Sequence, residues 1–263
     1  MEVSASRIKT FKACRRAFYL KYVEELEPIQ RPDALEIGSR YHELLEELET
    51  SGTLPSDVWT KESAMAHAYA KYIYPRFKVA KVEEEIRFHI NADDDLVGRV
   101  DGLSADGCLV EHKTTGSEIG EDYEYNLMWD EQILAYMLAT GTRKVYYTVC
   151  RKPTIRQKKG ETEEEFYNRM IDWYDDDTEH KIRLLEIERT DEEVAQYERD
   201  LQEIVQEIHR CDLYYRNTCH CTKWGRRCEY AGICLNHKAG EPCTGYMHRE
   251  KEEKEDGREE EIF

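Results

Sequence analysis

The stretch Leu96–Thr115 reads LVGRVDGLSADGCLVEHKTT, and its reading decides the fold. Ser104-Ala105-Asp106-Gly107 is a turn sequence joining two strand arms, near 96–103 and 108–114. Side chains alternate along a strand, so Glu111 and Lys113 point one way and His112 the other. Asp101 and Glu111 are equidistant from Asp106, and a turn symmetric about that residue sets them opposite each other. Cross-strand partners have Cβ atoms about 4.5–5.5 Å apart. Two carboxylates that close repel unless a cation joins them. A hard divalent ion with oxygen ligands, Mg²⁺ or Mn²⁺, suits that role. The plainer alternative is two surface ion pairs, Glu111–Lys113 and Asp101–Arg99, each worth under about 1 kcal/mol. Leu109, Val110, Val97 and Val100 argue against it, because they mark buried strands, where charges without a use are costly.

Outward from the hairpin, the apolar period changes. Ile86, Phe88 and Ile90 alternate as in a half-buried strand, and KVYYTVC (144–150) reads as another. Helices flank this strand cluster. One begins at Ser4 or Ser6 and carries Ile8, Phe11, Phe18 and Leu20. A second starts at GSRYHELLEEL (38–48), a third covers Ala64–Tyr74, and another covers Met128–Ala139. Capping boxes at Thr162/Glu165 and Thr190/Glu193 open two more. The class is therefore α/β, with strands between about 82 and 152 and helices on both sides.

The chain of 263 residues is 40% hydrophobic and 36% charged, enough for one sizeable core. No apolar run approaches the roughly 20 residues of a membrane helix. MEVSASRIKTFKACRR lacks the apolar region of a secretory signal. Nine cysteines without such a signal point to a reducing compartment and to metal before disulfide. A net charge of −18 argues against non-specific adhesion to nucleic acid, although Arg7–Arg16 and Arg151–Lys159 (RKPTIRQKK) are basic runs. The acidic segment 239–263 reads as a disordered tail.

GRVDGL followed by LVEHKTT resembles two motifs of the PD-(D/E)XK nucleases, in which Asp and Glu bind metal and Lys supports the attacking water. GSRYHELLEEL is similar to the helical motif of the RecB-like exonuclease branch, and QILAY (132–136) to its Q-x-x-x-Y signature. The resemblance implies a restriction-endonuclease-like core with a central mixed sheet flanked by helices, helical insertions and a C-terminal cysteine-rich segment. Residues 1–238 would form a single nuclease domain. It implies Asp101, Glu111, Lys113, Gln132 and Tyr136 as catalytic, with metal held by His42, Asp101, Glu111 and the His112 carbonyl. Gln132 and Tyr136, four apart on a helix, point to one site. A glutamate at the start of the preceding strand completes the family pattern. Glu83, Glu84 and Glu85 are available, and Glu85, beside Ile86 and facing away from the apolar side, is preferred.

Some members of that branch carry a [4Fe–4S] cluster on one N-terminal and three C-terminal cysteines. The resemblance places it on Cys14, Cys228 and Cys234, with Cys221 preferred over Cys219 as the fourth ligand. A zinc site using His220, or reduced thiols, is the alternative. The N-terminal helix and 211–238 would form this region and staple the chain's two ends. Cys108, Cys150 and Cys211 read as small core residues and Cys243 has no assignment.

The function implied is a metal-dependent deoxyribonuclease acting on duplex ends or single strands, in recombination, repair, phage DNA metabolism or CRISPR adaptation. It would work in the cytoplasm of a bacterial, archaeal or phage-infected cell. Arg15, Arg16, Arg151, Lys152, Arg156, Lys158 and Lys159, with Lys223, Arg226 and Arg227, would line a DNA path. No GxxxxGK[ST] occurs, so the chain encodes no ATP-driven motor. Candidate partners are a helicase, a recombinase or a single-stranded DNA-binding protein. The rival readings are a non-cleaving iron–sulfur or zinc DNA-binding module and a redox protein. The intact Asp101, Glu111 and Lys113 oppose the first, and the absence of redox-type cysteine spacing opposes the second.

Overall fold

In a computed structural model, which describes residues 1–30, 33–223, 226–238 and 243–248, the Leu96–Thr115 hairpin is the centre of a mixed sheet. The chain runs β1 (Glu2–Val3), α1 (Ala5–Ala13), α2 (Arg15–Phe18), β2 (Leu26–Pro28), α3 (Asp33–Ser51), α4 (Lys61–Tyr72) and β3 (Val79–His89). It continues with β4 (Asp95–Ser104), β5 (Leu109–Thr115), α5 (Glu121–Leu127), α6 (Glu131–Thr140), β6 (Lys144–Arg151), α7 (Glu163–Asp176), β7 (Ile182–Glu188) and α8 (Asp191–His209). After them come three short strands, β8 (Thr222–Lys223), β9 (Arg226–Arg227) and β10 (Tyr246–His248). Both capping boxes form, each Thr hydroxyl accepting from the backbone three residues on, at Thr162/Glu165 and Thr190/Glu193.

Chain contacts divide the protein into two compact units. The first comprises Met1–Ile8 and Pro32–Arg210, and the second Lys9–Arg31 with the segment from Cys211 onward. A single nuclease domain over residues 1–238 was the expectation, and Cys14, Cys221, Cys228 and Cys234 belong to the second unit. The acidic segment beyond 248 lies outside the described residues. Among the described residues no helix is long and apolar enough to cross a membrane.

In the first unit the sheet runs β1-β4-β5-β6-β7, with β3 also on β4. β5–β6 is parallel, while β3–β4, β4–β5 and β6–β7 are antiparallel. The turn is symmetric about Asp106, since Gly102 pairs with Val110 and Leu103 with Leu109. Gly107 takes φ +80° there, and its N–H donates to the Ser104 carbonyl at 2.9 Å.

Alternation on β6 sorts the two sheet faces. Val145, Tyr147 and Val149 pack with Leu109, Ile133 and Met137 on the α6 side. Cys150 packs with Tyr41, Leu44, Leu45, Met65, Tyr69 and Tyr174 on the α3, α4 and α7 side. Near β1, Val3, Leu96, Tyr197, Leu201 and Val205 make a third cluster with α8. The sheet therefore has apolar cover on both faces, as a parallel-containing sheet needs.

Three local expectations differ. The helix expected from Met128 begins at Glu131, because the Asp130 side chain caps it through the Gln132 N–H. Strand β7 and helix α5 carry no clean period and were not anticipated. In the second unit, the single N-terminal helix is broken at Cys14, which is extended (φ −162°, ψ 111°). Asn217 Nδ2 donates to the Ala13 carbonyl at 2.8 Å, satisfying an acceptor at the break.

Gly102 follows Asp101 where β3 and β4 approach closely. A Cβ there would stand 2.8 Å from the Lys81 carbonyl oxygen and 2.7 Å from Val79 Cγ1. Gly102→Ala is expected to destabilise the protein by about 1–3 kcal/mol through overpacking. Urea unfolding checks this, and an unchanged midpoint would contradict it.

Candidate active site

The site grows from a divergence of strands. β4 is paired with β3 along almost its whole length. Its other edge pairs with β1 at Asp95–Leu96 and with β5 only at Gly102–Leu103. At the point of divergence Asp101 substitutes its side chain for the missing ladder bond. Its Oδ2 accepts from the His112 backbone N–H at 2.6 Å, and Oδ1 lies 3.2 Å from His42 Nδ1 on α3. Burial works against ionising Asp101, but the bonds and charge from His42 and His112 win, bringing its pKa down to about 2.

Glu111 and Lys113 face α6. Glu111 is buried, and the Lys113 ammonium donates to its Oε1 and to Gln132 Oε1 at 3.0 Å. Gln132 Nε2 donates in turn to the Tyr136 hydroxyl at 2.6 Å. Gly98 makes room for that tyrosine, whose ring would come within 3.0 Å of a Cβ there. Burial pushes Glu111 up to about 7, with Lys113 opposing and the Asp101 charge adding to the rise. Burial disfavours the Lys113 charge, yet the Glu111 carboxylate outweighs it and holds the ammonium's pKa above its ordinary value. Lys113 therefore stays charged beside a carboxylate that is itself costly to ionise.

On the opposite face the buried His112 ring lies with Nδ1 2.7 Å from Thr148 Oγ1 and packs edge-on to Tyr69 and His42. Burial lowers its pKa to about 4, so this imidazole is neutral near pH 7. Tyr69 donates to Glu49 at 2.9 Å. His42, Glu46, Glu49, Glu83, Asp101 and His112 line a small shared pocket.

Glu83 is the acidic residue that sequence reading did not favour. Val82 pairs with Gly102 and Glu84 with Val100, so Glu83 stands across from Asp101. Its φ of +50° is a left-handed backbone, uncommon for a non-glycine residue in a strand. Both Glu83 and Glu85 pair with Arg99, at 3.0 Å and 3.7 Å, but the Glu85 side chain is 83% exposed and does not line the pocket. Glu83 and Glu85 share the same parity, so alternation could not separate them; the local kink does.

Asp101 and Glu111 with His42, the His112 carbonyl and Glu83 nearby form a hard, oxygen-rich donor set that suits Mg²⁺ or Mn²⁺. Among the described residues, no group of three or more His, Cys, Asp or Glu side chains is arranged to hold a metal as it stands. In this structure Lys113 donates to Glu111 Oε1, and His42 Nδ1 lies 3.2 Å from Asp101 Oδ1.

All nine cysteines of the chain are free thiols, and seven of them, Cys14 and the six from Cys211 onward, belong to the second unit. Cys14 is buried and its Sγ accepts from Asn217 N–H at 3.4 Å. Burial raises the Cys228 thiol, and Cys228 packs in one cluster with Cys14, Leu20 and Tyr230. Cys221 is exposed, and its carbonyl accepts from Cys228 N–H at 2.9 Å. Cys243, unassigned from sequence, has its Sγ 2.9 Å from His237 Nδ1.

The basic residues divide. Arg16 donates to the His237 carbonyl at 3.2 Å and covers the Tyr19 ring, while Arg15 covers Phe11 and Tyr215. Arg151 lies 3.9 Å from Glu118, and Lys152 donates to Thr114 Oγ1 at 2.6 Å. Arg156, Lys158 and Lys159 are exposed.

A family model described as the PD-(D/E)XK nuclease superfamily matches residues 2–235. Members of that superfamily generally use divalent metals. Among solved structures, the alkaline exonuclease LHK-Exo from Laribacter hongkongensis is similar, at 16% identity, with 80% of this chain and 88% of that chain covered and a TM-score of 0.39. A phage related exonuclease from Haemophilus somnus 129PT is similar at 14% identity, over 79% of this chain and 92% of that chain, with a TM-score of 0.40. No curated protein matches significantly in sequence.

Calorimetric titration with Mn²⁺ should separate the two glutamates. Asp101→Asn is expected to lose measurable binding, and Glu83→Gln to weaken it about 10-fold or more, on the scale of lost metal-site partners. Glu85→Gln should stay within about twofold; the reverse order for Glu83 and Glu85 would refute the pocket assignment.

Proposed function

We propose that this chain, which belongs to the PD-(D/E)XK nuclease superfamily, is a metal-dependent exonuclease hydrolysing phosphodiester bonds at DNA ends or in single strands. The observation carrying this reading is the meeting of two separately held groups where β4 and β5 diverge: Asp101 with His42, and Glu111 with Lys113, Gln132 and Tyr136. Asp101, Glu111, His42 and the His112 carbonyl would hold one or two Mg²⁺ or Mn²⁺ ions. When bound, the metal supplies Lewis-acid polarisation of the scissile phosphate and a water of lowered pKa.

The chain's own residues supply the rest. Lys113, kept protonated by its neighbours, orients the attacking water and balances charge gathering on the phosphate oxygens. Gln132 holds the ammonium, and Tyr136 holds Gln132, so the lysine's position is set by two successive hydrogen bonds. The neutral His112 ring, fixed by Thr148, adds no charge to compete with a cation and anchors the strand whose N–H holds Asp101. In-line attack leaves a 5′-phosphate and a 3′-hydroxyl.

In the second unit, Cys14, Cys221, Cys228 and Cys234 are proposed to hold a [4Fe–4S] cluster of structural role, joining N-terminal and C-terminal segments. The packing of Cys228 against the buried Cys14, from opposite ends of the chain, supports this. Among the proposed DNA contacts, the exposed Arg156, Lys158 and Lys159 are better disposed than Arg16, which is held by the His237 carbonyl.

Linear and covalently closed DNA, incubated with Mg²⁺ or Mn²⁺, test the enzyme reading. Wild type is expected to degrade the linear form alone, and Lys113→Ala to lose about 10²-fold or more. Degradation of neither form ends the nuclease reading, and degradation of both ends the exonuclease one. Anaerobically purified protein should show a broad absorption band near about 400 nm. Stoichiometric zinc without that band would replace the cluster.

A further inference from the structure

The first unit contains a cavity that the chemistry above does not use. It has a volume of about 440 Å³, within the range of ligand pockets, and its walls include Val58, Trp59, Tyr72, Tyr167, Ile171 and Tyr174. Trp59 and Tyr167 meet edge to face, with ring centroids 5.1 Å apart. The tyrosine hydroxyls are engaged within the protein: Tyr167 lies 2.8 Å from His67 Nδ1, Tyr174 donates to the Arg151 carbonyl at 2.6 Å, and Tyr72 donates to Asp175. What the walls offer is therefore ring surface. The charged wall groups are Asp57, Asp175 and Lys71, of which the last two pair with each other at 2.8 Å.

The basic loop 152–159 leads from the candidate active site to this cavity. At one end, Lys152 donates to Thr114, the residue after Lys113. Three residues on, Ile155 packs in one small cluster with Trp59, Tyr167 and Met170. Three residues span at most roughly 11 Å, which a nucleic-acid strand covers in a few nucleotides. Beyond Ile155 stand the exposed Arg156, Lys158 and Lys159. Cationic side chains that follow a backbone, beside aromatic rings that stack bases, are the two components of single-strand recognition.

We propose that this cavity takes one unstacked nucleobase of the DNA strand whose phosphate lies at the Asp101–Glu111 site, while the 152–159 loop holds the intervening backbone. This rests on the DNA-nuclease reading above. The base sits among the rings of Trp59, Tyr72 and Tyr167. A cavity filled in this way clamps the strand a few nucleotides from the cut and favours single-stranded or frayed DNA over intact duplex.

Fluorescence anisotropy of a dye-labelled 12-nucleotide oligothymidylate with the full chain, in EDTA, tests this. Trp59→Ala is expected to weaken binding about 5- to 100-fold, the range for losing one base–aromatic stack. Ile171→Trp, which fills the cavity and keeps every aromatic wall, should give a similar loss, with circular dichroism melts confirming that both variants fold. In a series of strands each carrying one abasic position, one position should reproduce the loss in wild type and cause no further loss in Trp59→Ala. Folded variants that bind within twofold of wild type, or abasic losses that add to Trp59→Ala at every position, overturn the proposal. If wild type cuts linear DNA in that case, the nuclease reading survives and the cavity assignment alone falls. If wild type neither binds nor cuts DNA, both fall.

Discussion

Two carboxylates brought together inside a covered sheet are the constraint on which this structure turns. Asp101 and Glu111 sit at the end of a short antiparallel ladder, and neither could be left there unpartnered, since an uncompensated buried charge costs several kcal/mol. The fold meets this from two sides. Helix α3 brings His42 and the β5 backbone offers an N–H to Asp101, while Lys113 answers Glu111 and is itself held by α6. Helices on both sheet faces are thus electrostatic partners as well as apolar cover. The layered architecture and the site have one cause.

The electrostatics are arranged in opposition. Asp101 is drawn well below the usual carboxylate range while Glu111 is pushed up towards neutrality, although both belong to one short hairpin. The difference follows from partners: Asp101 has a ring nitrogen and a peptide N–H, and Glu111 has a single ammonium and more complete burial. A site in which one carboxylate is firmly charged and the other is close to exchanging its proton is suited to receiving a cation, because the second carboxylate then ionises at little cost.

Much of this was legible from sequence because it depends on local counting. The turn around Asp106 sets the register Gly102–Val110 and Leu103–Leu109 by its length alone, and the ladder stops there, one step short of an Asp101–Glu111 pair. Gln132 and Tyr136 meet because a helix repeats every four residues or so, and they are hydrogen-bonded as that spacing implies. Glu83 was out of reach, since its selection over Glu85 depends on one left-handed residue that interrupts β3. The break at Cys14 was hidden for a similar reason: its stabilising partner, Asn217, is remote in sequence. The aromatic cavity was also invisible, because Trp59, Tyr72, Tyr167 and Tyr174 come from three separate segments and none carries a motif.

The uneven pairing of β5 has a mechanical meaning. Every residue from Leu109 to Thr115 is registered against β6, whereas β4 is joined to β5 at two positions only. Glu111, His112 and Lys113 therefore stand on a fully laddered stretch, whereas Asp101 is laddered to β3 on one side only and reaches β5 through its side chain at the His112 N–H. At the site the two strands are thus held together by a carboxylate where a backbone pair would ordinarily stand.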